Sequence, residues 1–136
     1  MPEESFDFLG YSVGRFYGKD GRAFIGTEPS RKSLKRIIGK IHDETTPRWN
    51  MDSAENRVTE LNALLRGWSG YFNQGRVTRA YQVIQRYTDW RLRRWLIRRQ
   101  GKRGTGYRQY PNEYLYGTLG LYQLPRSRAA VMKAKA

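Results

Sequence analysis

From Val58 to Phe72, apolar residues recur at steps of three and four: Val58, Leu61, Leu64, Leu65, Trp68, Tyr71 and Phe72. That spacing gathers them on one broad face of a helix from about Asp52 to Phe72, and so wide a face folds stably only if other elements cover it. Two further segments supply complementary stripes. One is Leu34, Ile37, Ile38 and Ile41, within a helix from about Arg31 to His42. The other is Ala80, Tyr81, Ile84, Tyr87, Leu92, Trp95 and Leu96, within a helix from about Thr78 to Arg99, with Val83, Trp90 and Ile97 as a second line beside it. Pro29 and Ser30 start the first helix, and Thr45, Thr46 and Pro47 break it. Asp52 and Glu55 have capping-box spacing at the start of the second, Asn73 and Gly75 end it, and Gly101 stops the third. Three helices with short connections predict an up-down-up bundle.

The flanks read differently. Phe6, Phe8 and Tyr11 around Gly10, and Ala23 to Thr27 after Gly18, Asp20 and Gly21, predict two short strands joined by a loop. A lone hairpin is marginal in water, so it must lie on the bundle. The expected fold class is α+β: a short N-terminal β-hairpin packed on a mostly helical three-helix bundle, with a short C-terminal helix between Pro111 and Gly120 after the basic linker GKRGTGYRQY. Gly67 and Gly70 interrupt the second helix at about 1 kcal/mol each relative to alanine. That cost implies close approach of another backbone, either a neighbouring helix or a nucleic-acid strand.

The net charge of +14 on 136 residues points to a polyanionic partner, nucleic acid before membrane. The charge is directed. Residues 76–136 carry fifteen basic against two acidic residues, while residues 1–29 are net acidic. On the third helix and just beyond it, Arg86, Arg91, Arg93, Arg94, Arg98, Arg99, Lys102 and Arg103 face Asp89 alone. Arg91, Arg94 and Arg98 share a face by spacing. Like charges so placed repel, and a polyphosphate would relieve the repulsion and release counterions. Arginine's planar fork suits phosphate contact and base stacking. Lys32, Lys35, Arg36 and Lys40 make the first helix a candidate second wall of a groove, or else a solvated surface. Tyr107, Tyr110 and Tyr114 are candidates for stacking on unpaired bases, and Tyr114 and Tyr116 equally for the core.

Catalytic readings find no support. His42, Asp43 and Glu44 are consecutive on a helix and diverge. One histidine and no cysteine exclude the usual zinc sets and any disulfide. GKRGTG follows a helix rather than a strand, unlike a phosphate-binding loop. No carboxylate pair for two-metal chemistry can be placed, so catalytic residues, metal and cofactor are each expected to be none. No apolar run is long enough to span a bilayer and MPEESFDF lacks the parts of a signal peptide, so a monomeric, soluble, cytoplasmic protein is expected.

LNALLRGWSGYFNQG (Leu61–Gly75) resembles the signature of the maturase-specific domain, also called domain X or thumb, of group II intron reverse transcriptases. FDFLGYSV (Phe6–Val13) resembles the last palm strand before that thumb, and YPNEYLYGTLGLYQL (Tyr110–Leu124) the family's closing segment. The three lie in the family's order over nearly the whole chain. The resemblance implies a palm-like end over residues 1–29 and a maturase-specific helical domain over 30–124; the remaining residues, 125–136, read as a flexible basic tail. It also implies a part of a mobile genetic element that grips intron RNA to promote splicing and holds an RNA/DNA primer-template. By motif it assigns Arg66, Gly67, Trp68, Tyr71 and Phe72, with Trp68 and Phe72 as the core of the signature. The family's catalytic aspartates lie upstream of the segment like Phe6–Val13, and YTDW (Tyr87–Trp90) lacks the second aspartate of the polymerase motif. The chain therefore reads as an excised domain or a truncated reading frame, without polymerase activity of its own. Two other readings stay open: a thumb that works only with its polymerase core, and a basic bundle that binds duplex DNA or anionic lipid without selectivity.

Overall fold

Leu9 and Gly10 both take positive φ, 53° and 87°. Two such residues in succession close a tight hairpin turn, so the stretch read as one strand folds back on itself. The computed structural model describes residues 5–17 and 21–135. The expected loop residues Gly18 and Asp20, the first four residues and Ala136 lie outside the described residues. Strands β1 (Ser5–Phe8), β2 (Tyr11–Tyr17) and β3 (Ala23–Pro29) form an antiparallel sheet in that order, with Phe8 opposite Tyr11 and Tyr11 opposite Pro29. Among the described residues there are thus three strands rather than two.

Helix α1 (Arg31–Asp43) starts at Ser30, whose hydroxyl accepts from the Ser33 amide at 3.1 Å. Helix α2 spans Ala54–Tyr71. Its cap is Ser53, which accepts from the Asn56 amide, while Asp52 sits one residue earlier and accepts from the Ser53 amide. The hydroxyl wins because it stands at the position from which it reaches the third amide of the helix. Helix α3 covers Thr78–Arg98. The architecture is α+β: a sheet beside a bundle whose α1 and α3 are each antiparallel to α2. Residues 128–135, expected in a flexible tail, form helix α4 (Arg128–Lys135), with Val131 buried.

Ile37, Ile41, Leu61, Leu65, Ile84, Leu92, Trp95 and Leu96 make the core, each at most 3% exposed. A fully buried aliphatic side chain of this size contributes about 1.5–3 kcal/mol. The lid is the C-terminal stretch, which buries Leu115 within a short π-helical turn at Tyr114–Thr118 and Leu121 and Leu124 after it. Two amide side chains clamp it. Asn62 Oδ1 accepts from the Tyr122 amide at 2.7 Å, and Gln85 Oε1 from the Leu124 amide at 2.8 Å. Of the second apolar line expected on α3, Ile97 is buried while Val83 and Trp90 are exposed.

The sheet meets the bundle at Gly10. Its carbonyl accepts from the Ser30 amide and the Ser33 hydroxyl, both at 2.8 Å, and a Cβ there would lie 2.9 Å from both Phe72 Cζ and Ser33 Oγ. Only glycine permits this approach. Between α1 and α2, Arg57 is buried, paired with Glu44 (2.6 Å) and Asp52 (2.8 Å) and lying over the Trp49 ring.

Candidate nucleic-acid interface

The arginines of α3 divide into two sets. Arg91 turns inward: Nε donates to Thr45 Oγ1 (2.9 Å) and Nη2 to the Thr45 carbonyl (3.0 Å), just past the end of α1. Carbonyls at a helix end lack intrahelical donors, and a cation there also meets the negative end of the helix dipole. Arg93 is buried, donating to the Tyr110 carbonyl (2.7 Å) and Asn112 Oδ1 (2.6 Å). Arg99 donates to the Asp52 carbonyl (2.8 Å) and lies over Trp95. The triad Arg91, Arg94 and Arg98 is therefore not one outward set, because Arg91 is committed to the fold.

What faces outward is Arg86, Arg98, Lys102 and Arg103, all exposed, with Arg94 half-buried. Val83, Arg86, Trp90, Arg94 and Arg98 follow one another at steps of three and four, which sets them on one helix face. Val83 and Trp90 are 44% and 47% exposed, and the Arg94 guanidinium lies 5.2 Å from the Trp90 ring centroid. An aromatic ring among arginines offers a stacking surface beside phosphate donors. The only carboxylate of α3, Asp89, points the other way. It accepts from the Tyr116 hydroxyl and, at 3.1 Å, from Gln85 Nε2. Burial pushes the Asp89 carboxyl up, against the lowering effect of those two hydrogen bonds. The Tyr116 hydroxyl is pushed up as well, by burial first and then by Asp89.

Helix α1 presents Lys32, Lys35, Arg36 and Lys40, all exposed. Arg36 and Lys40 rim a cleft of about 510 Å³ between α1 and α2, to which the second helix contributes Ala63, Leu64, Gly67, Trp68, Tyr71 and Phe72. The run RGWSGYF is thus split. Gly67, Trp68, Tyr71 and Phe72 turn to this cleft. Arg66 turns to the C-terminal segment, its guanidinium 5.2 Å from the Tyr122 ring centroid. Phe72 is buried and stacks on the half-buried Trp68, centroids 4.5 Å apart. Tyr71 is 54% exposed, and its hydroxyl donates to the Leu9 carbonyl at 2.6 Å. A Cβ built on Gly67 or Gly70 meets nothing within 4 Å, so no neighbouring helix explains either glycine.

Of the tyrosines considered for stacking, Tyr107 is exposed but lies 4.4 Å from the Arg93 guanidinium, while Tyr110 and Tyr114 are half-buried against each other. His42 and Asp43 touch at 3.4 Å, while Glu44 turns to Arg57. Among the described residues no helix is long and apolar enough to cross a membrane. Sequence reasoning missed Trp90 as a surface group, although its i,i+4 spacing to Arg94 could have shown it. It also missed the Leu9–Gly10 turn as part of the cleft wall, which only the fold brings to α2.

Residues 34–114 match the family model of the group II intron maturase-specific domain. The chain belongs to that family. The match runs from Leu34 in α1 through α2 and α3 to Tyr114, so it covers the signature helix, α3 and all of α1 but its first three residues. The sheet and most of the closing segment lie outside it. A role related to group II intron maturation follows from membership of this family, which is distinct from the polymerase catalytic domain. No curated protein matches the chain.

Proposed function

We propose that this maturase-specific domain binds structured intron RNA as a monomer, without cofactor or catalysis of its own, and promotes the folding that splicing needs. The observation that carries the reading is the outward face of α3, where Arg86, Arg94 and Arg98 surround an exposed Trp90 while the one carboxylate is turned inward. Arg86 and Arg98 there and Lys102 and Arg103 just past its end, together with Lys32, Lys35, Arg36 and Lys40 on α1, supply enough cations to neutralise about five to seven phosphates. That gives a log–log salt slope of about −4 to −6. Reversing Arg86, Arg94 and Arg98 to glutamate should weaken intron-RNA binding by more than about tenfold and flatten the slope. Unchanged affinity would remove α3 as the binding face.

A second reading has its own observation. Phe8, Leu9 and Ile25 are 60%, 68% and 83% exposed on the sheet. Phe8 and Leu9 adjoin at the β1–β2 turn, and exposed apolar neighbours of this kind suit a further partner. It favours a thumb that docks on an upstream polymerase core and, with it, holds the primer-template. Intron folding promoted by the isolated chain separates the two readings.

A further inference from the structure

The cleft between α1 and α2 has features that a surface for duplex backbone does not need. Its volume of about 510 Å³ lies within the ~300–1,000 Å³ range of small-molecule sites. Its floor is apolar and aromatic, and both charged residues that line it, Arg36 and Lys40, are cations. The Tyr71 ring is exposed yet held by its hydroxyl on the Leu9 carbonyl, so a flat partner meets a platform already in place. Gly67 lies one turn before Tyr71 on the same helix face, and the space above it is empty. A helix-interior glycine with nothing of its own chain above it leaves room for a group from elsewhere.

We propose that this cleft is a pocket for one unpaired nucleotide, whose base enters over Gly67 beside the Tyr71 ring while its phosphate meets Arg36 and Lys40. The inference rests on the RNA-binding reading and deepens it: α3 grips backbone, and the cleft accepts a base that has left its stack. Single-stranded bases are recognised in this way because every base offers a π-face, and an aromatic ring beside cations answers both base and phosphate. Charge complementarity selects a nucleotide over an apolar peptide, since a peptide of that kind gains nothing from two cations at the rim.

The test is fluorescence anisotropy with a short labelled oligoadenylate RNA and an abasic sugar–phosphate chain of the same length, with intron RNA titrated in parallel. Wild-type protein should prefer the base-bearing chain by on the order of tenfold to a hundredfold. Gly67→Leu fills the cleft and suits a helix, so it should stay folded by circular dichroism while the preference disappears. The pair Arg36→Gln and Lys40→Gln should weaken both chains. Equal binding of the two chains by wild type, as expected if the cleft serves a protein partner, overturns the pocket. So does a folded Gly67→Leu variant that keeps the preference. Intron-RNA binding that persists in those cases leaves the RNA reading standing without the pocket, whereas a wild type that binds no RNA at all removes both.

Discussion

Arg91, Arg93, Arg94 and Arg98 are the same letter within eight positions, yet two of them hold the fold together and two face outward. What separates them lies far away in sequence: the Thr45 carbonyl for Arg91, and the Tyr110 carbonyl with Asn112 for Arg93. Helical spacing places a residue on a face but does not say whether a carbonyl end from another element waits there. For this reason the directed charge was legible in the sequence and its division between structure and ligand was not. The difference is measurable. Arg91→Glu removes hydrogen bonds from a charged donor and sets an anion against helix-end carbonyls, so it should cost about 2 kcal/mol or more. Arg98→Glu, on an exposed position, should stay within about 0.5 kcal/mol of wild type. Urea unfolding of the two variants reads this directly, and equal losses would mean that Arg91 does not brace α1.

At the scale of elements, the three helices and their core were legible because apolar spacing is a local property of the chain. Leu61, Leu65, Ile84, Leu92, Trp95 and Leu96 stand where the periodicity put them. The strand count was not, because a Leu–Gly pair with positive φ at both residues has no strong turn composition to announce it. The closing segment was legible only as a short helix. Its fixation depends on Asn62 and Gln85, polar residues that helical patterning assigns to the surface. Asp89 of α3 meets the same lid through the Tyr116 hydroxyl, and its raised carboxyl gives the junction a pH signature. The folded state holds the Asp89 proton to higher pH than the unfolded chain does, so stability falls as pH rises from the ordinary carboxylate value, 3.8, through the raised one. Asp89→Asn cannot titrate there. The stability of wild type relative to Asp89→Asn should therefore decline across that window in denaturation curves taken at stepped pH. A flat difference would mean that the carboxyl is not desolvated under the lid.

For the molecule as a whole, charge and shape divide the labour. The bundle concentrates cations on α1 and α3, the signature end of α2 opens a cleft toward α1, and the sheet carries apolar side chains outward. Long-range electrostatics alone would draw any polyanion to such a surface. The proposed function asks more of it: fixed aromatic and arginine positions would select folded RNA of the kind a group II intron presents. The most direct measurement is competition for labelled intron RNA at one fixed salt concentration. Unlabelled intron RNA, tRNA and duplex DNA are added at equal phosphate. Intron RNA should displace the label at a clearly lower phosphate concentration than either competitor. Equal displacement by all three would overturn the proposed function and leave a basic bundle with no selectivity for its RNA.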